Sequence, residues 1–370
     1  MTTLTAGTGC KDMNNLSAFS YLCLMQSPLV SLLTPMYNTE KYVHRLLDSV
    51  LAQDYPAIEM VIIDDGSTDG SRAVVDSYAG RFAAKGYALR CYRQPNSGQS
   101  AAIRNGLPRV TGEYLAWPDS DDFYTSPDAI SKMVRVLESS APEFQLVRTQ
   151  VRYVQDPSLE LLRIEGLDAR AEEAPSLFED CLFALSGFFY CAGSYLVRTA
   201  VLKAETGFDV YAEKNAGQNW QLLLPILYRY RCKTILEPLF TVVERDGSHS
   251  RGQYSGFARE RLRKEAYLRT QMETLDRIRG IPDETRARYR KRLQALSDRR
   301  LLDLAIFLND GPAARESLLA CKDGMDGAEY RVKRCCLRLP GGTRLLNGYK
   351  ELHHRLHLLK KSLKKSRRTV

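Results

Sequence analysis

From residue 28 to residue 117 the chain alternates short apolar runs with stretches whose apolar residues recur at helical spacing, and this alternation restricts the fold more than any other feature. Residues 29–34, 58–63, 88–92 and 113–117 have the length and apolar content of buried strands. Between them, residues 39–53, 69–84 and 99–109 carry the period of helices. Strands joined through helices run side by side, so the pattern predicts a mostly parallel sheet covered by helices on both faces. In such sheets ligands sit beyond the carboxyl ends of the strands. The polar clusters fall there: TPMYN after the first strand, DDGSTDG after the second and DSDD after the fourth.

Much of DDGSTDG, residues 64–70, is accounted for as a strand-to-helix turn, with Gly66 supplying backbone freedom and Thr68 or Asp69 capping the next helix. A turn does not require two successive acids, and Asp64 and Asp65 at the strand's edge can accept hydrogen bonds from a base or ribose. In DSDD, Asp119, Asp121 and Asp122 crowd behind an apolar strand ending in Trp117. Like charges repel, and burial raises the cost, so something positive is expected beside them. Hard oxygens on a short loop suit Mg²⁺ or Mn²⁺ shared with substrate phosphates; an isolated acid cluster is otherwise an ordinary solvated turn. No GxxxxGK[ST] or GxGxxG motif is present, which removes the main support for ATPase and dinucleotide readings. The helix after DSDD is expected to start with Ser126 as N-cap and Pro127 at its first position.

Four segments in order and register, PLVSLLTPMYN, VIIDDGSTDGS, NSGQSAAIRNGL and EYLAWPDSDDFY, closely resemble the amino-terminal half of family 2 glycosyltransferases. The resemblance covers residues 28–125 strongly and extends more weakly to 251. It implies the GT-A fold, a Rossmann-like, mostly parallel sheet flanked by helices, here with a carboxyl-terminal helical extension. It also implies inverting transfer of a sugar from a nucleotide diphosphate donor, usually a UDP-sugar, to an acceptor hydroxyl. On that resemblance Thr34 and Tyr37 border the nucleoside, Asp65 hydrogen-bonds the base and Asp64 adjoins it. Arg104 lies near the nucleotide and its phosphates, Asp119 approaches the ribose, and Asp121 with Asp122 holds a divalent cation, Mn²⁺ or Mg²⁺. Residues 243–251, VERDGSHSR, look like the loop that closes over the donor, with His249 as a further metal ligand and Arg251 as a diphosphate contact.

One departure bears on catalysis. Where many family members carry a Glu-Asp pair at the start of a helix, with the Asp as base, this chain has Gln218-Asn219. Neither amide takes a proton at neutral pH. Either Asp209 or Glu213 supplies the base, or Gln218 and Asn219 only orient the acceptor while another group accepts its proton, or the chain binds a sugar nucleotide and transfers nothing. Trp220 is expected to pack, and His44 to be structural.

Residues 143–155 and 188–198 are expected as further strands, 179–185 as a short helix, and 217–230 as a helix bent at Pro225. Beyond residue 251 the composition changes to charged helical stretches. The organisation expected is therefore an extension at 1–27, a GT-A domain at 28–251 and a helical region at 252–370. Lys11 is offset by Asp12 and no small-residue cleavage pattern follows residues 16–25, so these do not read as a signal peptide. Nine scattered cysteines without CxxC spacing are expected as reduced thiols of a cytoplasmic protein. The net charge of +9 is densest in LHHRLHLLKKSLKKSRRTV, where Leu352, Leu356, Leu359 and Leu363 recur near helical intervals among Lys and Arg. A basic amphipathic helix of this kind can lie on an anionic bilayer. The resemblance implies a glycan or lipid-linked acceptor, and because such acceptors in bacteria are often lipid-linked at the inner leaflet, peripheral attachment at the inner face of the membrane is expected. Nucleic acid is not expected as a partner, since no aromatic-studded basic motif accompanies the charge.

Overall fold

A computed structural model describes residues 27–166, 177–185, 190–211, 213, 217–245 and 256–349. The apolar runs become strands β1 (Val30–Met36), β2 (Ile58–Asp64), β3 (Ala88–Arg93) and β4 (Tyr114–Ala116). Every residue of β1, β2 and β4 is buried, as continuous apolar strands covered on both faces must be. β3 is partly exposed because it forms the sheet's edge. Between the strands lie α1 (Val43–Leu51), α2 (Ser71–Ser77), α3 (Ala79–Ala84) and α4 (Gln99–Gly106). α1 starts later than its periodicity suggests, since the N–H groups of Thr39 and Glu40 bond to the side chains of Ser71 and Asp69.

The remaining elements are β5 (Phe123–Tyr124), α5 (Ala129–Glu138), β6 (Phe144–Gln155), β7 (Glu160–Glu165), α6 (Phe178–Phe183), β8 (Tyr195–Arg198), α7 (Thr199–Thr206), α8 (Asn219–Arg229) and β9 (Arg231–Glu244). The strands form one sheet in the order β3-β2-β1-β4-β8-β6-β9-β5, with β7 paired to β6. The parallel arrangement expected from the sequence holds from β3 to β4 and again between β6 and β9. β8 inverts the direction against both β4 and β6, and β5 and β7 also pair antiparallel, so the sheet as a whole is mixed.

α5 corrects one expectation. It begins at Ala129 rather than at Pro127, and the Ser126 hydroxyl donates to Asp128 Oδ1 at 2.7 Å. The N–H of Ile130 is instead accepted by Gln53 Oε1 at 3.0 Å, a residue just after α1 and 77 positions earlier in the chain. The expected strand at 188–198 is confined to β8; Ala192–Ser194 form a 3₁₀ turn, and residues 186–189 lie outside the described residues.

One apolar cluster joins α1, α2, α3 and α5 to one face of the sheet through Leu46, Val75, Phe82 and Met133. A second holds α4, α6 and α8 on the other face through Ile103, Phe178 and Leu223. Leu275, Ile278, Ile281 and Leu293 also enter this second cluster, so α9 (Phe257–Arg277) and the start of α10 (Asp283–Phe307) pack on the sheet domain. A third cluster, of Leu302, Ile306, Ala314, Leu318 and Leu337, joins the rest of α10 to α11 (Gly311–Ala320) and α12 (Gly327–Arg338). The extension at 1–26 and the basic tail from residue 350 lie outside the described residues.

Candidate active site

The carboxyl ends of β1, β2 and β4 meet in a lattice of loops. Asp65 N–H donates to Met36 O at 2.8 Å, and Asn38 Oδ1 accepts from Thr68 N–H at 2.8 Å, which laces the first two loops together. Gly66 sits at φ +78°, and a Cβ there would meet Asn96 N at 2.9 Å, so this position requires glycine. Asp69 Oδ1 accepts the N–H of Ser71 at 3.0 Å, but the N-cap of α2 is Gly70, so neither Thr68 nor Asp69 takes the capping position expected.

Asp65 is buried, and its carboxylate is already engaged. Oδ1 accepts from Gln94 Nε2 at 2.7 Å and Ser97 N–H at 2.8 Å, and Oδ2 from Gly98 N–H at 2.8 Å. It therefore shapes the entry to α4. Asp64 Oδ1 accepts Ser67 N–H at 2.8 Å, while Oδ2 is buried without a hydrogen-bond partner, 3.9 Å from Arg93 Nε. Thr34 Oγ1, one strand away, is likewise buried without a partner. Tyr37 is exposed at the loop's rim, and Arg104 is exposed on α4, where with Gln94, Ser97 and Arg109 it lines a surface cleft of about 390 Å³.

The acid loop follows β4. Asp119 Oδ1 accepts from Gln99 Nε2 at 2.6 Å, and burial together with the charge of Asp121 pushes its carboxyl up to about 7. Asp122 is buried, its Oδ1 accepts the N–H of Val243 at 2.9 Å, and burial with the neighbouring acids raises its carboxyl well above the usual range. That bond and the pairing of β5 with β9 tie the acid loop to the end of β9. There Arg245 Nη2 meets Asp121 Oδ2 at 2.6 Å, and the guanidinium lies 4.1 Å from the centre of the Tyr42 ring. Arg245 thus supplies positive charge to the acid loop from within the chain, where the sequence pointed to a divalent cation. Sequence reasoning did not single out Arg245; the VERDGSHSR segment contained it, but only the β5–β9 pairing reveals its partner.

The start of α8 is the other side of the site. Gln218 is 1% exposed, and neither of its amide atoms has a hydrogen-bond partner. Gly217, beside it, lies close to Gln99, the residue that holds Asp119. Asn219 Oδ1 accepts from Trp117 Nε1 at 2.8 Å, so this amide anchors α8 to the end of β4. Trp220 packs as expected, donating to Cys181 O at 3.0 Å and Tyr190 Oη at 2.8 Å. Gln221 Nε2 donates to Tyr211 O at 2.8 Å and fixes Tyr211 against the first turn of α8. Asp209 lies at the surface, its side chain 70% exposed and 3.0 Å from Arg277 Nη1. Glu213 is far less exposed, at 11%, and pairs with Arg269 at 3.2 Å. His44 is half-buried on α1, and His249 and Arg251 lie outside the described residues.

Among the described residues no three His, Cys, Asp or Glu side chains converge into a ready-made metal centre. The donor chemistry nevertheless fits a cation shared with a ligand: Asp119 and Asp121 offer hard oxygens, and the raised carboxyls of Asp119 and Asp122 show how poorly this loop tolerates its own charge.

Residues 31–202 match the family model described as glycosyl transferase family 2. The chain carries a family 2 glycosyltransferase domain. TuaG of Bacillus subtilis, described as a putative teichuronic acid biosynthesis glycosyltransferase, is 36% identical over 113 residues, 30% of this chain and 44% of TuaG. The chain spans less than half the length of the curated relatives it matches, for example 32% of a glycosyltransferase of Rickettsia typhi. Among solved structures, S. aureus TarS 1-349 in complex with UDP-GlcNAc superposes with a TM-score of 0.58 at 17% identity, covering 84% of this chain and 87% of TarS. The mannosyltransferase PcManGT of Pyrobaculum calidifontis, solved with GDP-Man and Mn²⁺, gives 0.51 at 19% identity, covering 90% and 89%. At such identities the likeness is one of fold, and the fold of this glycosyltransferase domain is GT-A.

Proposed function

We propose that the chain is an inverting glycosyltransferase that moves a sugar from a nucleotide diphosphate donor, a UDP-sugar, to a hydroxyl of a glycan or lipid-linked acceptor in bacterial surface polysaccharide synthesis. The observation that carries this reading is the acid loop at the carboxyl end of β4, where Asp119 is pushed up to about 7 beside the polar ends of β1 and β2. The ligands held by TarS and PcManGT, and the description of TuaG, support the donor class and the polysaccharide setting.

Asp121 would hold Mn²⁺ or Mg²⁺, with Asp122 behind it and His249 completing the set. The cation would take up the negative charge that grows on the leaving diphosphate. Thr34 and Asp64, each with a buried oxygen that has no hydrogen-bond partner, would face the nucleoside with Tyr37 and Asp65, and Asp119 the ribose. Arg104 and Arg251 would face the phosphates. In an inverting step the acceptor O–H gives its proton to a carboxylate, its oxygen bonds the anomeric carbon, and the bond to the diphosphate breaks on the opposite face. We assign the proton to Glu213, whose side chain is 11% exposed, rather than to Asp209, which is 70% exposed. Gln218 would orient the acceptor. A second reading, a sugar-nucleotide-binding scaffold that transfers nothing, is favoured by one observation: amides occupy the start of α8 where the resemblance implies acids.

The proposal includes docking at the inner, anionic face of a membrane. No helix among the described residues is long and apolar enough to cross a membrane. The solvent side of α12 carries Arg331, Arg334 and Arg338 beside exposed Val332, and the sequence beyond residue 349 adds the basic amphipathic tail.

The test is a thermal-shift screen of nucleotide sugars with and without Mn²⁺, followed by assay of nucleoside diphosphate release with candidate acceptors. A donor at a hundred times its Kd stabilises by about 2.7 kcal/mol. One donor is expected to raise Tm only with the cation. No shift from any nucleotide sugar would refute the reading, whereas a shift without product would select the scaffold.

A further inference from the structure

We propose that Arg245 is an internal counter-ion of the acid loop, seated on Asp121 until a nucleotide diphosphate draws it away, so that metal binding at Asp121 depends on the donor. The inference rests on the metal role proposed above for Asp121, and it concerns what this chain's own cation does before that role is taken up.

Arg245 is held from two sides. Its Nη2 lies 2.6 Å from Asp121 Oδ2, with the two side chains 18% and 26% exposed, and its guanidinium sits 4.1 Å from the centre of the Tyr42 ring. A cation on an aromatic face and a partly desolvated carboxylate each stabilise that seat. The neighbouring acid does not compete, because Glu244 Oε1 faces Arg163 Nη1 at 2.6 Å. Nor is the backbone free to carry Arg245 away, since Val243 N–H is fixed to Asp122 and β9 is paired to β5. Any change of partner therefore falls on the side chain, which is long and rotatable.

The seat is also incomplete. Arg245 Nε is buried without a hydrogen-bond partner. Guanidinium groups present donors in a planar fork that matches phosphate oxygens two at a time. Beside a diphosphate the side chain can use donors that Asp121 leaves idle, while Asp121 becomes available to a cation. Metal alone must compete with Arg245, and its apparent affinity falls by the fraction of protein in which Asp121 is free. Metal and nucleotide must then raise one another's affinity by the same factor, because such coupling is reciprocal.

The test measures Mn²⁺ binding to the full chain by EPR, with and without UDP, so no turnover is needed. Arg245→Gln should bind Mn²⁺ alone about tenfold more tightly than wild type, a difference of about 1.4 kcal/mol. UDP should enhance Mn²⁺ binding strongly in wild type and several-fold less in the variant. Arg245→Lys, which keeps the charge but not the planar fork, should bind Mn²⁺ alone with near wild-type affinity and show a smaller UDP enhancement. Tyr42→Leu, which removes the ring beneath the guanidinium, should move Mn²⁺ affinity in the same direction as Arg245→Gln and serves if that variant folds poorly. If Arg245→Gln and Tyr42→Leu both leave Mn²⁺ affinity and its UDP enhancement at wild-type values, Arg245 is a structural ion pair and the inference fails. Asp121→Asn separates the two levels: Mn²⁺ binding that survives it unchanged overturns the metal role of Asp121 itself.

Discussion

Replacing Asn219 by Leu distinguishes an anchor from a catalytic group at the start of α8. Trp117 is fully buried, lies flat against Tyr195 at 6.2 Å between ring centres, and directs its indole N–H to Asn219 Oδ1 at 2.8 Å. Leucine fills similar space but leaves that N–H inside the protein without a partner. An orphaned buried donor costs about 1–3 kcal/mol. For domains of about 150–250 residues each kcal/mol lowers Tm by roughly 2–4 °C, so melting should fall by about 2–12 °C. Urea denaturation of wild type, Asn219→Leu, Trp117→Phe and the double variant closes a cycle in which the cavity left by the smaller ring cancels. Phenylalanine has no N–H to strand, so Asn219→Leu should cost less in that background, and the coupling should reach about 1–2 kcal/mol. Donor binding measured on the folded Leu variant should be unchanged. A cost below about 0.5 kcal/mol, or no coupling, would refute the anchor. Unchanged stability with lost turnover would return Asn219 to the catalytic set.

Glu213→Gln should lower kcat by about 10²–10⁴ with donor binding retained, while Asp209→Asn, on the surface, should leave both near wild type; the reverse pattern in a product-release assay would move the base. In metal-free protein Asp119, raised by burial and by Asp121, has a folded-state pKa of about 7 against an ordinary 3.8. Its protonated form is the one the fold favours, so its contribution is complete below about 3.8 and is lost as pH rises towards 7. Asp119→Asn should therefore gain stability relative to wild type in EDTA between pH 5 and 8, and a flat difference across that range would refute the environment assigned to Asp119. Sedimentation with anionic vesicles should recover the full chain at low salt. Charge reversal at Arg331, Arg334 and Arg338 should weaken this and truncation at residue 345 weaken it further, each basic residue near the surface being worth about 1 kcal/mol; equal pelleting of all three would remove the docking proposal.

The amino-terminal half of the fold and the placing of polar clusters at the strand ends were legible in the sequence because both depend on local pattern. Buried parallel strands are continuous apolar runs, helices recur at their own period, and acids placed at strand ends stay there whatever the rest of the chain does. β5, β7 and β9 were not visible in the same way. β5 has two residues, β7 is an exposed edge strand, and β9 carries Pro238 and Glu237 through its middle, so none shows a clean buried period. The direction of β8 was equally hidden, since alternating strands and helices say nothing about when a chain re-enters its sheet reversed.

What each acid does was decided only by tertiary structure. The sequence placed Asp65 at a strand end, but its carboxylate is engaged by Gln94, Ser97 and Gly98, about thirty residues away. Trp117 and Asn219 are 102 residues apart, and Asp121 and Arg245 are 124 apart. Periodicity reports the environment of one segment at a time. Which cation balances the acid loop, and which amide anchors α8, depend on the closing of the sheet through β8, β6 and β9, and no local pattern encodes that closure.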